Sequence, residues 1–141
     1  MSNFIEAILD SGVGRRLMKS VLPKAIPLKR YHPGQATYFE GRVLIGAGNN
    51  AALLQDVLRN LKDANAQIFY PAAAASAGLI VKAAAAAGVK ATGLEIHPDM
   101  ADKFDALVFD ASGFSEATDL NQLYSFFHPV MRKLNSNGRV L

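Results

Sequence analysis

Residues 41–51 read Gly-Arg-Val-Leu-Ile-Gly-Ala-Gly-Asn-Asn-Ala, and this stretch decides the fold. Val43, Leu44 and Ile45 form an unbroken apolar run, the pattern of a short strand covered on both faces. Gly46, Gly48, Asn49 and Asn50 then supply a turn. Beyond it, residues 51–62 place Leu54, Val57, Leu58 and Leu61 on one stripe of a helix, which Asn49 or Asn50 can cap. A doubly buried strand that turns through glycine into an amphipathic helix opens a βαβ unit.

The same alternation continues downstream. Residues 67–70 predict a second strand. Pro71 is expected to open an alanine-rich helix that Gly88 closes as a left-handed cap. That helix is apolar nearly all round, so burial on more than one side is expected. Residues 91–96 and 106–109 predict two further strands, followed by a loop at Asp110-Ala-Ser-Gly113. Residues 119–134 predict one long helix with Leu120, Leu123, Tyr124, Phe127, Val130, Met131 and Leu134 on a shared face, kinked at Pro129. Residues 135–138, Asn-Ser-Asn-Gly, predict a turn, and residues 139–141 the start of a last strand. Strands alternating with helices predict a three-layer α/β domain, flavodoxin-like and of Rossmann type, on a mainly parallel sheet. The simplest strand order is 2-1-3-4-5.

Upstream, residues 1–40 read as an arm and connector. Phe4, Ile5, Ile8 and Leu9 recur at helical spacing, and Pro23, Pro27, Pro33 and Gly34 break the pattern. The expected division is therefore a helical arm over 1–40 and an α/β domain over 41–141. The net charge of +3 on 141 residues gathers in the arm: residues 1–30 hold six Lys/Arg against two acids, and the remainder nine against ten. Scattered cations without interleaved aromatics read as a solvated or partner-facing arm rather than a nucleic-acid site.

With 50% hydrophobic and 19% charged residues the composition is that of a globular domain. The chain has no cysteine, so thiolate chemistry and disulfides are excluded. Residues 1–10 carry two acids and no cationic start, unlike a signal peptide, and the alanine-rich stretch is interrupted by Ser76, Gly78 and Lys82. No membrane span and a cytoplasmic location are expected.

Two places carry candidate chemistry. Gly46-Ala-Gly48-Asn-Asn-Ala51 matches G-x-G-x-x-[G/A] between a strand and a helix, so Gly46, Gly48 and Asn49 are the candidate cofactor-binding residues. The acid that would hold a ribose is missing, since the second strand ends Phe69-Tyr70-Pro71, and a tight turn belonging to the fold is the preferred reading. Asp110, with Ser112 and Gly113, follows the carboxyl end of a strand, where open α/β sheets place ligands. It equally suits a cap of the segment that follows or an Asx-turn. His32, His97 and His128 lie in separate segments with no i, i+4 pair, so no metal site is expected. The four residues that follow Tyr31, Tyr38, Tyr70 and Tyr124 at i+4 are Gln35, Arg42, Ala74 and His128. The Tyr-x-x-x-Lys pair, in which lysine would lower the tyrosine pKa for proton transfer, is therefore absent, and no catalytic residue is named.

The stretches Asp102-Lys-Phe-Asp-Ala-Leu-Val-Phe-Asp-Ala-Ser-Gly113, Leu123-Tyr-Ser-Phe-Phe-His-Pro-Val-Met-Arg-Lys-Leu134 and Gly138-Arg-Val140 resemble the N-terminal region of high-molecular-weight 3-oxoacyl-(acyl-carrier-protein) reductases. Asp10-Ser-Gly12, Leu28-Lys-Arg-Tyr31 and Leu44-Ile-Gly46 are similar too; residues 63–100 match less closely. The resemblance implies a flavodoxin-like first domain without flavin, placed ahead of a short-chain dehydrogenase/reductase domain. That second domain would bind NADH or NADPH and reduce a 3-oxoacyl thioester in fatty-acid metabolism. The implied partners are the C-terminal reductase domain of the same chain, a second copy in a homodimer, and acyl-carrier protein or acyl-CoA. Leu141 falls within an apolar strand, which reads as a truncation ahead of that domain. A self-standing nucleotide-binding module and an oligomerisation or docking domain are the alternatives.

Overall fold

Apolar alternation along β1 (Gly41–Ala47) sends Val43, Ile45 and Ala47 to one face of a sheet and Leu44 to the other. In the computed structural model, which describes residues 41–141, β1 is the middle strand of five. It is followed by α1 (Leu54–Asp63), β2 (Ala66–Pro71), α2 (Ala77–Ala87), β3 (Ala91–Leu94), β4 (Phe104–Asp110), α3 (Asn121–Phe127) and β5 (Leu134–Val140). The expected arm over 1–40 lies outside the described residues.

All four strand pairings are parallel, and the order is β3-β2-β1-β4-β5. The fold is thus the expected flavodoxin-like α/β class, but the strand order 2-1-3-4-5 is corrected. That order would put the third strand in the middle of the sheet. Ala91-Thr-Gly-Leu94 cannot fill such a place: Thr92 and Gly93 are exposed, as suits an edge. Ala106, Leu107 and Val108 of β4 are buried and take the place beside β1.

Two apolar clusters flank the sheet. Leu54, Leu58 and Leu61 of α1 and Ile80, Ala83 and Ala84 of α2 pack with Val43, Ile45, Ile68 and Val108 on one face. On the other, Leu44, Phe104 and Leu107 meet Met100, Phe126 and Val130. Residues 95–103 connect β3 to β4 without a helix, and Ile96 and Met100 from this connection help close the second face.

Four local expectations are revised. Pro71 ends β2 instead of opening a helix, and α2 begins at Ala77. Helix α2 is buried on one side only, with Leu79 and Val81 exposed; Gly88 caps it at φ 66° as expected. The long helix over 119–134 is broken into a 3-10 turn at Ala117–Leu120, α3, and a 3-10 turn at Met131–Lys133. Pro129 lacks the N–H a continuing helix needs, so it stops the helix rather than kinking it. Its buried residues are Phe126 and Val130, while Leu120, Tyr124 and Met131 face solvent. Finally, β5 starts at Leu134. Phe104 pairs with Leu134 but Ala106 pairs with Arg139, so residues 135–138, read as a turn, bulge out within the strand opposite Asp105.

Candidate functional site

The strand order fixes where a crevice opens. The chain leaves β1 for one face and β4 for the other, and these two neighbours end side by side, with Ala47 paired to Asp110. Such a switch point is where open α/β sheets hold ligands. Gly46, Gly48, Asn49, Asp110, Ser112 and Gly113 are all brought to it.

At the β1–α1 turn the backbone N–H groups donate to the protein's own acceptors. Gly48 N–H donates to the Asp110 carbonyl oxygen at 2.9 Å, and Ala51 N–H to the Gly48 carbonyl at 3.3 Å. Asn49 N–H donates to Gln122 Oε1 at 3.0 Å, and Ala52 N–H to Ser112 Oγ at 2.8 Å. Leu53 N–H donates to Asp110 Oδ2 at 2.9 Å, and Ser112 N–H to Asp110 Oδ1 at 2.9 Å. Asp110 is only 5% exposed and is the one buried charged residue among the described residues. Each of its carboxylate oxygens accepts a backbone N–H, which satisfies a polar group that burial removes from water. Asp110 makes the Asx-turn its position suggests, but its other oxygen serves the start of α1 rather than capping the segment that follows.

This replaces the expected cap. Neither Asn49 nor Asn50 caps α1, which starts at Leu54 with no side-chain cap bond from its own N-terminal residue. Ala52 and Leu53 precede the helix, with their N–H groups held by Ser112 and Asp110.

The glycines are explained by close approach. A Cβ at position 46 would lie 2.4 Å from a ring carbon of Phe126, and one at 48 would lie 2.1 Å from Phe114. A Cβ at 113 would lie 2.2 Å from the Asn49 carbonyl oxygen. So the turn and the loop after β4 interlock, glycine against aromatic and glycine against backbone. Gln122, Phe114 and Phe126 complete this closure. Helical periodicity gave no sign of it, because Gln122 and Phe126 sit on a segment whose apolar stripe points to other residues.

Beside the closed turn lies a cleft of about 360 Å³. Ala47, Phe109, Phe126 and Val130 form its apolar wall, and Ala74 and Ala75 of the β2–α2 turn line it from the other side. Phe109 backs the wall within an aromatic cluster, 5.3 Å from Phe126 and 5.8 Å from Phe114 between ring centres. Among the described residues, Asn49, Ser76, Gln122 and Ser125 supply the polar lining, and none of the lining side chains is charged.

The remaining sequence candidates stand apart. His97 is exposed in the β3–β4 connection, and His128 is stacked on Tyr124 at 4.7 Å on the surface of α3. Among the described residues no cluster of three His, Cys, Asp or Glu could hold a metal, and no helix is long and apolar enough to cross a membrane. His32 lies outside the described residues. No protein-family model and no curated protein matches this chain.

Proposed function

We propose that this chain is the non-catalytic N-terminal domain of a 3-oxoacyl-(acyl-carrier-protein) or acyl-CoA reductase, cytoplasmic, whose NADH- or NADPH-dependent ketoreduction is performed by a separate short-chain dehydrogenase domain. The resemblance at 102–113, 123–134 and 138–140 supports the parentage. The observation that carries the non-catalytic reading is Asp110. In a dinucleotide-binding turn, free backbone N–H groups and the helix N-terminus await the ligand's pyrophosphate. Here a carboxylate of the chain itself accepts the Leu53 N–H, while Ser112 and Gln122 accept those of Ala52 and Asn49. A bound pyrophosphate would have to displace three internal acceptors and meet the negative charge of Asp110. The absence of Tyr-x-x-x-Lys from the chain agrees.

The test is the reading frame that encodes the chain. A glycine-rich strand–helix turn and a Tyr-x-x-x-Lys following codon 141 are expected. A frame that closes there, or turnover of acetoacetyl-CoA with NADPH by this chain alone, would overturn the reading.

A docking or oligomerisation role is favoured by one further observation. Leu79 and Val81 are exposed on the alanine-rich α2, and Leu53 at the start of α1; large apolar side chains left at the surface are what a protein contact would cover. The reductase domain of the same chain, or a second copy in a homodimer, is the proposed occupant. Sedimentation of the chain against the Val81→Glu variant separates the two: a concentration-dependent dimer lost in the variant supports the homodimer, and a monomer throughout removes it.

A further inference from the structure

We propose that the cleft between α3 and the β2–α2 turn binds an uncharged, apolar small molecule with one hydrogen-bonding end, a site distinct from the glycine turn and independent of the parentage above. Its volume of about 360 Å³ lies in the range of small-molecule sites. The wall of Ala47, Phe109, Phe126 and Val130 is continuous with the aromatic cluster beneath, so a ligand there exchanges water for packed carbon.

Charge selects the ligand class. Among the described residues no lysine, arginine or histidine lines the cleft, so a carboxylate or phosphate would lose water without gaining a cation from them. Among the same residues no acid lines it either, so a cation fares no better. The polar lining contributed by the described residues is neutral. Gln122 uses Oε1 to accept the Asn49 N–H, which leaves its amide NH₂ to donate. Ser76 makes no side-chain cap bond to α2, and it is one of the residues that line the cleft. Ser125 donates to the Asn121 carbonyl oxygen at 3.0 Å and so is already engaged. A carbonyl, ester or hydroxyl at the end of an apolar body meets this set; both an aliphatic chain and a planar ring offer that chemistry.

The test uses N-phenyl-1-naphthylamine, a neutral probe that fluoresces in apolar sites, titrated into the full chain. A saturable rise is expected, with wild-type amide resonances of Ala47, Asn49 and Ala75 moving along the same isotherm. The Ala75→Phe variant fills the cleft from an exposed position and should weaken the probe about tenfold or more. Ala85→Phe, on the exposed side of α2 away from the cleft, should leave it unchanged. The anionic analogue 8-anilinonaphthalene-1-sulfonate should bind about tenfold more weakly than the neutral probe. Displacement by methyl octanoate assigns an aliphatic ligand, and displacement by 2-naphthol a planar one. No saturable rise, equal binding by Ala75→Phe, preference for the sulfonate, or displacement by neither competitor would overturn the proposal.

Discussion

Two strand-to-helix turns lie at the same end of the sheet, and they differ in what their backbones touch. The β1–α1 turn carries the glycine pattern, and its N–H groups are held by Asp110, Ser112 and Gln122. The β2–α2 turn carries no motif. Its backbone bonds are local or lead to the neighbouring strand: Ala74 N–H to the Pro71 carbonyl, Ala77 N–H to Ala74, and Ala72 N–H to Leu94. Its alanines and Ser76 line the open cleft. A glycine-rich turn reports that something approaches the backbone closely, and in this chain that something is the loop after β4. The open cleft lies beside it, between the β2–α2 turn and α3.

The contrast can be broken most severely at Asp110. Asp110→Ala leaves the N–H groups of Leu53 and Ser112 without their acceptor and is expected to cost about 2–4 kcal/mol in urea unfolding. Asp110→Asn retains one accepting oxygen and should lose less. Next comes Gly113→Ala, whose Cβ would meet the Asn49 carbonyl oxygen at 2.2 Å and the Asn50 carbonyl carbon at 2.4 Å. Those are backbone atoms, so the two loops must separate, at about 1–3 kcal/mol in the same measurement.

Gly78 sharpens the contrast from the other side. It lies in α2 with nothing within 4 Å of where a Cβ would stand, so no close approach requires it. Gly78→Ala should stabilise the domain by about 0.5–1 kcal/mol, read as a higher melting temperature. A loss of stability there would show that α2 needs its glycine.

The smallest effect is expected at Asp119, on the exposed rim of the loop after β4. The backbone N–H groups of Ser115 and Glu116 donate to its carboxylate at 2.9 and 3.0 Å and hold its pKa below the ordinary aspartate value. A carboxylate with a depressed folded pKa contributes stability that is complete above its unfolded pKa and disappears as pH falls through the folded one. The protection of the Ser115 and Glu116 amides, exchange measured against the intrinsic rate at each pH, should therefore fall below the ordinary aspartate range. In Asp119→Asn that acid dependence should vanish.

Much of the architecture could be read from the chain because it rests on local patterns. Val43-Leu-Ile45 and Ala106-Leu-Val108 are apolar runs that only buried parallel strands use, and Gly88 sits where a helix needs a left-handed residue. The strand order was harder. It depends on which of two weakly apolar strands tolerates an edge, and Thr92 and Gly93 decide that only once their exposure is known. The long helix was misread because Leu120, Tyr124 and Met131 fit its stripe yet face solvent, while Pro129 divides the segment. At the site, Asp110 was legible as an Asx-turn. Its partner Leu53 lies 57 residues away, and no local spacing could name it.

The most direct measurement follows the amide resonances of Gly48, Asn49, Ala52 and Leu53 while NADH, NADPH and FMN are added in turn, up to about 1 mM. With their hydrogens already held by the chain's own acceptors, the four resonances should stay where they are. Saturable movement of these signals with any of the three nucleotides would show that the turn opens to a ligand, and would contradict the closed-turn account.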